Sequence, residues 1–458
     1  MIENDAFKLL LINLFHLNPD DIANIFCTTF NKMMVLLVTL ADKHQACPYC
    51  GFTAPKIKEY VTKEITHSAL TTQKCIIKYR ARRYKCPCCG KTYYEFNPFV
   101  FKSQKISILT VHNILKDLKD FNETFTSVAR RYHVSPTSVS TIFDNHVDIG
   151  RNPLPEIINF DEVYAFKSEK SKYVCVLLDF KKQIPVDVLP NRKKEYLLNY
   201  FQKIPLEERK KVKYACSDMY EVYRDVVHKV FPCSCMLLDY FHLSQDFHRK
   251  MNEVRIKVMK GYKDDKASDE YYLLKKFNWL LFKNPEDEDK YGRLFDVERE
   301  RKYNSHFKSY MNYYDLRRKL VEINNDLTIC YSLKLELVDF YSKSTIDNAQ
   351  VNLEHLIRSC IDTNIEEMIA FSNNLINWKQ EIINSFTIIG TEYKVEANKG
   401  QVVVCNKKVN NAIIENRNKI IKCIKNNANG YTNWSRFRNR VMYVLDPNTT
   451  FSLEPREK

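Results

Sequence analysis

Apolar residues between Phe7 and Leu17 recur at helical spacing, and Met33 to Leu40 is an unbroken apolar run. The chain therefore opens with a short amphipathic helix and a strand. From 46 to 95, β-type residues alternate with paired cysteines, and 105 to 150 reads as helices. Pro153 and Pro155 then break the pattern, as a linker does. Strands follow at Ile157 to Val163, Tyr173 to Asp179 and Pro185 to Leu189. A helix (Lys193 to Gln202), a strand (Val212 to Asp218), a helix (Glu221 to Phe231) and a short strand (Ser234 to Leu238) come next. This order predicts a mixed α/β domain. From about Ser244 to Asn384 the chain is mostly helical, and Ile365, Met368, Ile369, Leu375, Ile376, Ile382 and Ile383 fit one core stripe. Pro285 to Asp289 reads as a solvated acidic loop. A last helix is expected from about Asn410 to Lys425, with a basic aromatic tail after it. No solenoid period is present.

Composition narrows the class. A length of 458 residues suggests about three domains. Lys plus Arg total 71 against 56 Asp plus Glu, a net charge of +15. Such an excess points to a polyanionic partner, nucleic acid before membrane. It is concentrated in two blocks: Lys56 to Lys105 holds 12 Lys/Arg against 3 Glu, and Lys407 to Met442 holds 9 against 1. Both blocks read as DNA contacts. Only 8 Gly exclude a collagen-like chain. Glu3 and Asp5 precede the first apolar stretch, unlike a signal peptide. Met33 to Ala41 is too short to span a bilayer, so a cytoplasmic, nucleoid-associated protein is expected. The 15 Cys are odd in number and mostly scattered, unlike a disulfide framework. Cys27, Cys175, Cys216, Cys330, Cys360 and Cys423 read as small buried hydrophobes.

Four cysteines differ. Cys47-Pro-Tyr-Cys50-Gly51 and Cys86-Pro-Cys-Cys89-Gly90 repeat one pattern, with a Gly where a tight turn needs positive φ. Together they supply four thiolates, the tetrahedral set of structural Zn²⁺. Cys88 is the spare. Arg80, Arg82 and Arg83 lead into the second turn and would line a strand with charge for DNA phosphates. Thr126 to Phe143 then reads as a helix-turn-helix. Val128, Ala129, Val139, Ile142 and Phe143 face inward, Ser135 caps the second helix and Pro136 opens it. Thr137, Ser138 and Thr141, with Ser140, are left to meet a major groove.

Acidic residues end the strands of the α/β region. Asp161 ends one and Asp218 another; if the two strands are adjacent, both carboxylates lie at the same sheet end. Such a pair suits Mg²⁺ or Mn²⁺, hard ions that keep positions open for phosphate oxygens. Glu415 is the candidate third acid, with Lys419 and Lys422 on its helix face for DNA phosphates. Ile413, Ile420 and Ile424 would face the core. Glu162 should point to the opposite face from Asp161. Asp239 and His242 are possible accessories; a helix N-cap with a packed His is the plainer reading.

Taken together, these residues resemble the DDE transposases of bacterial insertion sequences, most closely the ISL3 family. The resemblance spans nearly the whole chain. It includes the four cysteines, the helix-turn-helix, Asp161-Glu162, Asp218-Met219 with Tyr223, Phe231-Pro232 and Asp239-x-Phe241-His242. It continues through Glu415-Asn416-x-Asn418, Asn429-Gly430-Tyr431 and Phe437-Arg438-x-Arg440. Ile413-Ile414 stand where the family often has a Gly.

The resemblance implies an α+β multidomain chain. A zinc-ribbon domain would occupy 1–100 and a helix-turn-helix domain 101–152. An RNase H-like core would span 153–243, a large helical insertion 244–400, and the last core helix with its basic tail 401–458. It implies a triad of Asp161, Asp218 and Glu415 that holds Mg²⁺ or Mn²⁺. It also implies binding to transposon ends and target DNA, metal-dependent cleavage and strand transfer, and a homodimer on DNA. A DNA-binding regulator without nuclease activity and a zinc-containing structure-specific nuclease are the rival expectations.

Overall fold

The computed structural model describes residues 2–43, 46–101, 104–166, 171–395 and 402–456. Helix α1 (Ile2–Leu14) starts and stops earlier than expected and ends where His16 turns left-handed at φ 51°. It packs Leu11 and Ile12, with Phe15 just after its end, on a sheet formed by β1 (Ile22–Phe30), β2 (Met33–Leu40), β3 (Lys56–Thr66), β4 (Cys75–Lys85) and β5 (Thr92–Tyr94). The order is β1-β2-β4-β3, with β5 on β4. Strand β1 was not anticipated. Only Ile22 and Ile25 of its nine residues are buried, so it shows no clean alternation. Its turn into β2 uses Asn31 and Lys32, both at positive φ, the geometry of a two-residue hairpin.

Helices α2 (Ile108–Asp117), α3 (Phe125–Arg131) and α4 (Pro136–His146) form a small bundle around Val111, Leu115, Val128, Val139 and Phe143. As expected, the Ser135 side chain accepts the Ser138 N–H and Pro136 is the first residue of α4. A short turn through His133, at φ 54°, separates α3 from α4.

The second sheet contains β6 (Ile157–Val163), β7 (Val174–Asp179) and β8 (Ile184–Leu189), antiparallel in sequence. Helices α5 (Lys194–Gln202) and α6 (Leu206–Arg209) lead to β9 (Tyr214–Ser217), and α7 (Glu221–Val230) leads to β10 (Cys235–Leu238). The order is β10-β9-β6-β7-β8, with β9 parallel to both β6 and β10. The strands are apolar because both faces are covered. Leu197, Phe201, Tyr223 and Val227 of α5 and α7 pack one face.

The insertion has its own core, built by α8 (Tyr240–Gly261), α9 (Asp269–Lys276), α10 (Tyr313–Val321), α11 (Asn325–Lys343), α12 (Ala349–Asp362), α13 (Glu366–Asn377) and α14 (Lys379–Asn384). It is not wholly helical: two small hairpins, β11 (Glu288–Asp289) with β12 (Gly292–Arg293) and β13 (Lys302–Asn304) with β14 (Ser309–Met311), interrupt it. The acidic segment expected as a plain loop thus ends in a strand. Ile376 is exposed, off the expected core stripe.

A hairpin of β15 (Ile388–Val395) and β16 (Val402–Lys408), also not anticipated, precedes α15 (Ala412–Asn427). Ile414, Ile421 and Ile424 are the buried line of α15, with Ile413 and Ile420 half-buried. Cys423 is exposed rather than buried. The expected tail is corrected too: Trp434–Leu445 forms α16, so α15 is not the last helix. Phe437, Val441, Met442 and Leu445 pack with α15 on the other face of the second sheet, and Tyr443 enters the α2–α4 core. Basic composition hid this helix, because its arginines are paired internally. Arg436 bonds Asp144 (2.6 Å), Arg438 bonds Asp187 (2.7 Å), and Arg440, fully buried, donates to the Asp120 and Glu123 carbonyls. Among the described residues, no helix is long and apolar enough to cross a membrane.

Candidate functional site

Strand register brings the acids together. β6 pairs Asn159 with Cys216 of β9, and β10 pairs Leu238 with Ser217. Continuing each register sets Asp218 and Asp239, the residues just past the ends of β9 and β10, beside Asp161. The expected place of Asp161 is corrected: it lies two residues inside β6, paired with Val176 of β7, rather than at the end of its strand. Helix α15 then crosses that end. The Asn159 amide donates to Asn411 Oδ1 (2.7 Å) and to the Asn410 carbonyl (2.8 Å), pinning the start of α15 to β6. Glu415 follows in the first turn of α15. Asn418 comes one turn on and donates to Asp161 Oδ2 (2.7 Å). Asp161 Oδ1 accepts the Glu162 N–H (2.8 Å). Glu162 itself is held by Arg192 and by the Tyr223 hydroxyl, and so is already engaged.

Asp239 stands at the N-cap of α8, yet its side chain makes no capping bond. His242, one turn later, places Nε2 3.9 Å from Asp239 Oδ2 and 4.0 Å from Glu415 Oε1. Asp239, His242 and Glu415 each offer a ligand atom, all within 4.8 Å of one another. The accessory pair is thus where Glu415 lands.

Electrostatics matches a site built for positive charge. Burial first, then the charges of Asp218 and Glu162, pushes Asp161 up to about 7 against the opposing Glu162 amide. Burial likewise pushes Asp218 up to about 6 and raises Asp239, while His242 opposes both shifts. Two unit charges ~4 Å apart repel by ~4 kcal/mol at an effective dielectric of ~20. Protons or cations must offset that. Asp218 Oδ1 and His242 Nε2 are buried without a hydrogen-bond partner. The carboxylate oxygens suit a hard divalent ion such as Mg²⁺ or Mn²⁺, whereas the His242 nitrogen is a donor that softer ions prefer.

The cysteine site is separate. Cys47 and Cys89 lie 3.7 Å apart through sulfur, and Cys50 and Cys86 lie 3.5 Å apart. A tetrahedron with Zn–S of ~2.3 Å has edges of about 3.8 Å, so the four sulfurs fit zinc. Each turn closes alike: Gly51 N–H donates to the Cys47 carbonyl and Gly90 N–H to the Cys86 carbonyl, with Gly51 and Gly90 at φ 73° and 70°. Cys88 is exposed and outside the cluster.

The residues expected on DNA are less uniform. Arg80 is exposed and stacks on Tyr60, and Arg83 bonds Glu59 (2.6 Å). Arg82 is corrected: it turns inward to Glu95 (2.8 Å) and to the Leu40 and Ala41 carbonyls. The nearly buried Glu95 needs that partner. Thr137 and Thr141 are exposed on α4, and Ser138 is half-buried. Lys419 and Lys422 are exposed on α15. The amides of Asn159, Asn411 and Asn418 were given no role in the sequence reading. In sequence Asn159 stands out as a polar residue inside an apolar strand, and Asn418 as part of the Glu415-Asn416-x-Asn418 motif.

Known proteins similar to this chain in sequence are transposases. The transposase for insertion sequence element IS1001 of Bordetella parapertussis is 19% identical over 409 residues, 89% of this chain and 90% of that protein. The sequence model of the ISL3-type DDE transposases, described as "Transposase", matches residues 158–402, more than half of the chain. That stretch holds Asp161, Asp218, Asp239, His242 and the insertion; Glu415 lies just beyond it. The chain belongs to the ISL3 family of DDE transposases.

Proposed function

We propose that this transposase binds the terminal inverted repeats of its insertion sequence, cleaves the ends in a metal-dependent reaction and joins them to target DNA. The observation that carries this reading is the row of Asp161, Asp218 and Asp239 across three adjacent strands, faced by Glu415 and His242 from two helices. The sheet order, three antiparallel strands followed by two parallel ones, supports an RNase H-like core.

Asp161, Asp218 and Glu415 are the residues we assign to holding Mg²⁺ or Mn²⁺, with Asp239 and His242 beside them. Divalent ions bound there would make a water or a 3′-hydroxyl a stronger nucleophile and shield charge on the phosphate. Asn418 fixes the angle of the Asp161 carboxylate while leaving lone pairs free. Asn159 and Asn411 hold α15 in place, and so orient Glu415. Lys419 and Lys422, exposed along the same helix, would carry the phosphates next to the cut. The cysteine cluster would hold one structural Zn²⁺, and α3 with α4 would act as the helix-turn-helix that reads the repeat. A homodimer on paired ends follows from the need to cut two ends.

Asp161→Asn, Asp218→Asn and Glu415→Gln should each abolish cleavage and leave end binding near wild type. A variant that still cuts in Mg²⁺ would remove that acid from the assignment. Wild-type protein that binds ends without cutting them in any divalent metal would favour the regulator instead.

A further inference from the structure

A cleft of about 600 Å³ opens from the acid row into the insertion. It begins at Asp218 and His242 and runs along one face of α8, past Gln245, His248, Arg249 and Asn252. Met219 and Phe282 form its apolar wall. The size suits a single nucleotide.

Its chemistry is wrong for a phosphate backbone. Among the described residues Arg249 is the one Lys or Arg lining it, and it is paired with Asp246, a carboxylate that lines the same cleft. Beyond Asp218 at the mouth and the Asp246–Arg249 pair, the rest of the lining is uncharged or apolar and offers hydrogen-bonding amides. The Gln245 side chain has no hydrogen-bond partner among the described residues, and Asn252 uses its oxygen on Arg255, leaving its amide N–H groups free. His248 lies edge-on to Phe282, with ring centroids 5.4 Å apart. Burial, with Lys334 nearby, pushes His248 down to about 4, so its ring is neutral at ordinary pH. Amides that read a base edge beside an apolar, aromatic wall are the features of a site for an unstacked base.

We propose that this cleft receives one base of the DNA end, turned out of the duplex next to the phosphate to be cut. The proposal rests on the acid row being the cleavage site. Unstacking one base costs a few kcal/mol in duplex DNA. Burying it beside Gln245, Asn252 and Phe282 offsets that, and frees the backbone to bend towards the carboxylates. Gln245 and Asn252 are positioning residues here, since they touch the base and not the reacting atoms.

The test uses full-length protein and duplexes of the element's own end, with 2-aminopurine placed singly at each position around the cut. In chelator, where no cutting occurs, wild type should raise the emission several-fold at one position. The Gln245→Ala, Asn252→Ala double variant should lose that rise while still binding the end. In Mg²⁺ the double variant should cut a fully paired end about tenfold more slowly, as expected from losing one or two hydrogen bonds. It should cut at the wild-type rate when the flagged position is mismatched, because the unpairing is then supplied by the substrate. No rise at any position in wild type would overturn the proposal, as would a rise that survives the double variant or slow cutting that the mismatch fails to rescue. A rise lost in the variant, from a wild type that cuts nothing, would uphold the base pocket and sink the cleavage assignment alone.

Discussion

Asp161 occupies a place that suits a carboxylate only when a proton or cation accompanies it. Its folded pKa of about 7 lies above the ordinary 3.8, so folding favours its protonated form. That contribution to stability is fully present below about pH 4 and is lost as pH rises to about 7. At ~1.4 kcal/mol per pH unit, the loss is a few kcal/mol at most. In chelator, then, Asp161→Asn should melt with wild type near pH 4 and above it at pH 8, as read by thermal unfolding at both pH values. Wild type melting as high as the variant at pH 8 would mean that the carboxylate is already neutralised by the protein. Asp161 and Asp218 were legible as acids on apolar strands, though Asp161 lies inside β6 rather than at its end. The burial that makes them costly to ionise was not, because it depends on α15 lying over them.

At the scale of elements, the two cysteine turns and α16 make opposite cases. Local spacing alone defines the turns, since the residues that reach one ion are neighbours on two short loops. Metal analysis should find one Zn²⁺ per chain. Cys47→Ser or Cys89→Ser should release it and unfold the ribbon, because binding and folding are coupled in such modules. Cys88→Ser should change neither. Helix α16 was hidden by its arginines, which only tertiary partners neutralise. Arg440→Ala should destabilise the protein by about 3–5 kcal/mol in denaturant titration, because it removes two buried hydrogen bonds and a filled volume. A loss below 1 kcal/mol would mean that water replaces the guanidinium there.

For the whole molecule, charge is divided between surface and interior. The second basic block is less available to DNA than its sequence suggests, since Arg436, Arg438 and Arg440 point inward. DNA binding should still weaken steeply with salt, by on the order of 10³–10⁵ from 50 to 200 mM if roughly 6–10 phosphates are contacted. Alanine at Arg80, Lys419 and Lys422 should lower the salt slope on all sequences alike. Alanine at Thr137, Ser138 and Thr141 should instead erode the preference for element ends over scrambled DNA. Arg82→Ala should act through stability, because Arg82 holds Glu95. Binding isotherms across a salt series, with melting curves for each variant, separate the three behaviours. An Arg82 variant of normal stability but reduced salt slope would return that residue to the DNA face.

By itself the sequence determined whatever depends on neighbours along the chain. That covers the cysteine turns, the Ser135 cap and Pro136 start of α4, the apolar strands β6, β7 and β8, and the long helical insertion. It also exposed Asp161 and Asp218, because an acid in or just after an apolar strand is visible one residue at a time. The tertiary structure decided what depends on distant partners. It placed Asp239 and His242 beside Glu415, 173 positions beyond His242 in sequence, through β10 pairing and the Asn159–Asn411 clasp. It made β1 a strand through pairing with β2, and α16 a core helix through Asp144, Asp187 and the carbonyls around Arg440. For the charged and amide groups the physical reason is the same, whereas β1 is held by backbone pairing with β2. A buried charge or amide is tolerated only where a partner meets it, and that partner is a property of the fold rather than of local sequence.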